Sequence, residues 1–190
     1  MVHKNDTRQN IITAASHLFQ MRGYHGTGLN DIVKESGAPK GSLYYHFPQG
    51  KEQIALEAIR QIDEKIQQEI QAELDEVDDP ILAIQTFLKH LAKKIFEKDT
   101  LYFSIGILAL ENSSMDNPLR KACSEAFNAW KNINEKKLIK GGFDQKHARE
   151  LSDIVHLMVA GASILSLTNN DGSSLVMVAE KIPLLANNKL

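Results

Sequence analysis

Lys40, Ser42, Tyr44, Tyr45 and His46 fall within a run of seven residues, and each is a type that bonds phosphate oxygens or the edges of bases. Lys40 can reach guanine O6 and N7, a contact whose loss costs about 1–3 kcal/mol of discrimination. Tyr45 and His46 suit phosphates. Two structural roles stand beside these: Tyr44 can pack against a preceding helix, and His46 can close a short helix end. A second chemistry is open to the seven histidines and the single cysteine, Cys123, which could supply a nucleophile pair or a metal site. The sequence has no His-x-x-x-His, no Glu-x-x-His and no glycine-flanked serine elbow, and Cys123 lies on an apolar helical stripe, as a buried inert thiol would.

The element that carries the first cluster is short and sharply bounded. Ala38-Pro39 reopens the chain, and Pro39 suits the first turn of a helix because its missing N–H has no partner there. Lys40 to Phe47 then forms a helix closed by Pro48-Gln49-Gly50. Before it, Leu29, Ile32 and Val33 make one apolar stripe on a helix that stops at Ser36-Gly37. Two short helices joined by a turn containing glycine have the form of a helix-turn-helix. Ile32, Val33 and Leu43, with Leu18 and Phe19 of a first helix capped by Asp6 or Thr7 and stopped by Gly23, would be its core.

The remaining chain is helical in period throughout. Helices are expected from Lys51 to about Val77, then over Pro80–Glu97, Thr100–Asn112, Asn117–Lys140, Asp144–Asn169 and Ser173–Asn187, which makes an all-α fold of about nine. Composition agrees with a globular chain able to bury a core: 190 residues, 43% hydrophobic, 24% charged. One cysteine excludes an intrachain disulfide framework and multi-cysteine metal sites, and no metal or other cofactor is expected. The start, Met1 to Asp6, lacks an apolar segment, and the apolar stretch Leu157–Leu167 falls short of the roughly 20 residues of a spanning helix, so a cytoplasmic location is expected. Residues 1–60 carry seven basic against five acidic residues, +2, and the rest fifteen against nineteen, −4. That asymmetry is too small to argue for nucleic acid alone.

The stretch from Gly23-Tyr24-His25-Gly26-Thr27-Gly28 through Lys40-Gly41-Ser42-Leu43-Tyr44-Tyr45-His46-Phe47, followed by Lys51-Glu52, resembles the DNA-binding head of the tetracycline-repressor (TetR) family of bacterial regulators. The run from Gly37 to Tyr44, with Phe47-Pro48 and Gly50-Lys51-Glu52, is similar to a subgroup that includes repressors of multidrug-efflux and flavonoid-response genes. The resemblance implies a head over residues 1–50, a ligand-binding and dimerisation body over 51–190, and the helix from Lys51 as their link. It further implies that Thr27 lies near a phosphate at the entry to the second helix, that Lys40, Ser42, Tyr44, Tyr45 and His46 line the recognition helix, and that Lys51 touches the DNA backbone. Gly28 and Pro39 depart from the family's hydroxyl-bearing pattern, which removes two side-chain phosphate contacts.

In the body, the resemblance implies an inducer pocket, for which Phe87, Phe103, Phe127 and Trp130 are the apolar candidates and Glu111 and His156 polar ones; aromatic residues at helical spacing are equally the material of a plain core. Leu151, Ile154, Val155, Met158, Ala162 and Leu165, then Leu175, Val176, Val178, Ile182 and Leu185, give the last two helices more apolar surface than one monomer covers easily, and a homodimer is expected; the alternative for residues 154–165 is a fully buried core helix. The function so implied is a ligand-responsive repressor of a palindromic operator. The alternatives are a helical interaction protein without DNA binding and a small enzyme using histidine or Cys123.

Overall fold

A computed structural model describes residues 4–96, 104–114 and 117–187. Among these there are nine helices and no strand: α1 (Lys4–Arg22), α2 (Leu29–Ser36), α3 (Lys40–His46), α4 (Lys51–Asp75), α5 (Pro80–Lys94), α6 (Ser104–Glu111), α7 (Pro118–Lys140), α8 (Gln145–Asn169) and α9 (Ser173–Asn187). The fold class is the expected one. Several boundaries differ: α1 starts before Asp6 and Thr7, so neither caps it, α3 ends at His46 rather than Phe47, α4 stops short of Val77 in the acidic run, and α5 ends at Lys94 rather than Glu97. The other ends follow local chemistry. The Asp79 and Asp144 carboxylates accept the backbone N–H of Leu82 at 2.8 Å and of His147 at 3.0 Å, capping α5 and α8. Asn170 closes α8 at φ 52°.

The chain forms two compact units, Met1–Glu64 with Leu101–Ala126, and Lys65–Thr100 with Phe127–Leu190. This division differs from one at residue 50, because α4 and α7 are continuous helices that each belong partly to both units. In the first unit α1 packs against α2, α3 and α6. Its core holds Ile11, Ile12, Leu18, Phe19, Ile32, Leu43, Phe47 and Ile54, all fully or almost fully buried. Val33 is only half-buried, and Phe47, which the sequence marks merely as a helix end, is a core residue. The Arg8 guanidinium lies 5.3 Å from the Phe47 ring centre and 3.3 Å from the Glu57 carboxylate, tying α1 to α4.

In the second unit α9 packs against both α5 and α8. Leu74, Ile84, Leu88, Leu138, Leu151, Val155, Leu175 and Ile182 fill the interior. Lys137 is buried, and its ammonium donates to the Val77 carbonyl at 2.6 Å, holding the segment between α4 and α5. Helix α9 runs on through Pro183, which the breaker pattern did not mark. Of the residues expected on a dimer face, Leu151, Val155, Ala162, Leu175, Val178 and Ile182 are buried in the monomer. Leu165 is exposed as expected, and the other uncovered apolar side chains of these helices are Leu157, Ile164, Leu167, Met177 and Leu184. Both helices are apolar on several faces, so periodicity alone does not say which face turns inward. The apolar stretch Leu157–Leu167 lies within the 25-residue α8, which as a whole is long and apolar enough, by length and composition alone, to cross a membrane; one third of its most apolar 18 residues is buried.

Candidate nucleic-acid interface

The two helices of the helix-turn-helix, α2 and α3, are set by two glycines and a small core. The Gly28 N–H donates to the Asp31 carboxylate at 2.9 Å, starting α2, and Gly37 ends it at φ 65°, a left-handed conformation open to glycine. Ser36 Oγ accepts the Ala38 N–H at 3.3 Å, completing the turn. Pro39 begins α3 with no side-chain cap bond, as its chemistry requires. Ile32, Ala38, Leu43 and Phe47 are buried beneath. With Leu43 inward, the seven-residue α3 turns Lys40, Tyr44 and Tyr45 to solvent, while Ser42 and His46 are half-buried. Tyr45 is 64% exposed and its ring meets His46 edge-on at 5.1 Å. A tyrosine this exposed on so short a helix has no core role to serve.

Two expected contacts are placed differently. Thr27 is buried, and its hydroxyl donates inward to the Gly23 carbonyl at 2.8 Å, so the side chain is a strut of the α1–α2 turn and is not open to a phosphate. Lys51 is half-buried, with its ammonium donating to the carbonyls of Tyr24 and Thr27, both at 3.0 Å, and lying 4.2 Å from the Tyr24 ring centre. The first residue of α4 therefore braces the same turn.

The expected ligand residues separate. Phe127, Trp130 and His156 meet between α7 and α8: the Phe127 ring is 5.4 Å from Trp130 and 5.9 Å from His156, both edge-on. Burial, reinforced by the nearby Lys131 cation, pushes the His156 imidazole below its ordinary pKa, so it is held neutral. Phe87 is buried on α5. Phe103 lies outside the described residues. Glu111 is corrected: its carboxylate, at the end of α6 in the first unit, accepts the Tyr24 backbone N–H at 2.5 Å, so it serves the α1–α2 turn. The groove of about 720 Å³ between α5 and the start of α9 is lined by Lys89, Lys93, Asp171, Val176, Met177 and neighbours, and contains none of the expected ligand residues.

Residues 11–58 match the family described as bacterial regulatory proteins, tetR family, and residues 80–181 match the C-terminal domain of LmrA/YxaF-like transcriptional regulators. This chain belongs to the TetR family. It is 45% identical over 179 residues to the HTH-type transcriptional regulator LmrA of Bacillus subtilis (strain 168), covering 94% of this chain and 95% of that protein. It is 42% identical over 190 residues to the HTH-type transcriptional regulator YxaF of the same organism, covering both chains fully. The fold matches the crystal structure of reduced NemR from Escherichia coli with a TM-score of 0.83 at 18% identity, covering 95% and 97% of the two chains.

Membership in the TetR family makes the chain a transcriptional regulator with a helix-turn-helix DNA-binding role. Such regulators are not enzymes, and the enzyme alternative falls. Cys123 fits: it is buried, and burial pushes its thiol pKa up to about 11, far from the thiolate that nucleophilic chemistry needs. What the sequence missed was the double bracing of Tyr24. Lys51 and Glu111 stand sixty positions apart, and no local pattern joins them to one turn.

Proposed function

We propose that this TetR-family regulator is a repressor that binds a palindromic operator as a homodimer in the cytoplasm and is released by a small, mostly apolar or aromatic inducer of flavonoid or drug-like character. The observation that carries the reading is α3, where Lys40, Tyr44 and Tyr45 are exposed together over the buried Leu43 and Phe47. Lys40 would contact a guanine, Tyr44, Tyr45, Ser42 and His46 would bond phosphates or base edges, and Thr27 and Lys51 would act by fixing the turn before α2. Head and body divide the work near residue 50, with α4 leading from one to the other.

The second copy is supported by Leu157, Ile164 and Leu165 on α8, 71%, 57% and 55% exposed, with Met177 and Leu184 on α9. Covering them with the same helices of a partner copy is an isologous solution and would space two recognition helices about 34 Å apart. For the inducer, the aromatic corner of Phe127, Trp130 and His156 would supply apolar surface and one neutral ring nitrogen. An inducer acts by binding the DNA-incompetent state more tightly, and a coupling of about 1–3 kcal/mol is typical.

Selection of bound duplexes from a randomised pool tests the proposal. Enrichment of one sequence with two-fold symmetry is expected; a pool that stays random after repeated rounds contradicts it.

A further inference from the structure

We propose that Glu111, the last residue of α6, is a positioning residue for DNA recognition: its carboxylate fixes the α1–α2 turn from which the helix-turn-helix departs. The inference rests on the DNA-binding reading above and extends it to a residue outside the helix-turn-helix. Gly23 is buried at φ +74°, a conformation that favours glycine, and the Glu111 carboxylate occupies the space where a Cβ would stand. The next residue, Tyr24, is held at both ends of its backbone. Its N–H donates to Glu111 Oε2 at 2.5 Å, and its carbonyl accepts from Lys51 Nζ at 3.0 Å. Lys51 also holds the Thr27 carbonyl, and the Thr27 hydroxyl returns to the Gly23 carbonyl.

A carboxylate on the N–H side and an ammonium on the carbonyl side of one residue polarise its amide groups in the same sense, and charge-assisted bonds of this kind are about twice as strong as neutral ones. The turn ends at Gly28, where α2 begins, so an error in its path is carried into α2 and α3 as a rigid pair. Helix α6 also packs on α1, which gives Glu111 a fixed base to act from. Lys51 and Glu111, from α4 and α6, thereby set how α2 leaves α1. Loss of the acceptor leaves the recognition helix intact but less well aimed, which penalises binding that depends on register more than binding to any phosphate backbone.

The test uses the full chain with Glu111→Met, which keeps bulk and removes the acceptor, and Glu111→Gln, which keeps an acceptor oxygen. Three quantities are read: affinity for a duplex of the DNA upstream of the protein's own gene, affinity for a random duplex, and hydrogen exchange of the Tyr24 amide. For Glu111→Met the upstream duplex is expected to bind about tenfold more weakly with the random duplex unchanged, and Glu111→Gln to stay within about threefold of wild type. The Tyr24 amide should exchange at least about tenfold faster in Glu111→Met only. Unchanged affinity in Glu111→Met, or an equal loss on both duplexes, overturns the role. Failure of the wild type to distinguish the duplexes contradicts the proposed function instead; the exchange rate then decides the brace by itself, and an unchanged rate in Glu111→Met overturns it.

Discussion

The side-chain amide of Gln85 on α5 donates to the backbone carbonyl of Ala179 on α9 at 2.9 Å. Ala179 stands four residues before Pro183, inside the same helix, and proline has no N–H to offer that carbonyl. Gln85 thus supplies from a neighbouring helix the bond that Pro183 removes. Replacing Gln85 with Leu should cost about 1–3 kcal/mol, the penalty of a carbonyl left without a partner. Restoring the N–H with Pro183→Ala should reduce that cost, giving a coupling of at least about 0.5 kcal/mol in a double-mutant cycle read by urea denaturation.

Lys40→Ala should lower affinity for the upstream duplex by about 1–3 kcal/mol while leaving the melting temperature unchanged, since Lys40 is exposed. Comparative titration of specific and random duplexes checks this; equal losses on both would make Lys40 a phosphate contact and not a base reader.

Much of the head was legible because its signals are local. Gly37, Pro39 and the stripe of Leu29, Ile32 and Val33 fix two short helices, and with Leu43 inward Lys40, Tyr44 and Tyr45 are left outside. Thr27 was misread because hydroxyl type says nothing of direction: its burial follows from the tertiary packing of the turn against α1. Glu111 was misread for the same reason, as its partner is 87 positions away. On α8 and α9 the apolar content was evident, but the exposed set could not be chosen among several apolar faces. The helix over Ser173–Asn187 was legible, but not how it tolerates Pro183, because the compensating donor, Gln85, comes from α5.

His156 gives a pH dependence of known sign. Its imidazole titrates below the ordinary 6.5 in the folded state because burial disfavours the cation, with Lys131 adding to the effect and Asp153 opposing it. As pH falls through 6.5 the unfolded chain takes up this proton first, so the contribution is intact above that value and is lost progressively as pH falls towards the lowered folded value. The melting temperature should therefore drop less between about pH 8 and pH 5.5 in His156→Phe than in wild type. An equal drop would remove His156 as a source of acid sensitivity.

The apolar face of α8 yields a prediction on assembly. Ile164→Glu places a charge among Leu157 and Leu165 without entering the monomer core, since Ile164 is 57% exposed. Light scattering should show a dimer for wild type and a monomer for the variant, with helical content unchanged by circular dichroism. A variant that remains dimeric would move the interface elsewhere.

The most direct measurement of the central claim is an anisotropy titration of the wild-type protein, at physiological salt, against its own upstream duplex and a random duplex of equal length. Sequence-specific recognition by α3 predicts affinity for the upstream duplex at least about a thousandfold higher. Equal affinity for the two duplexes would contradict it.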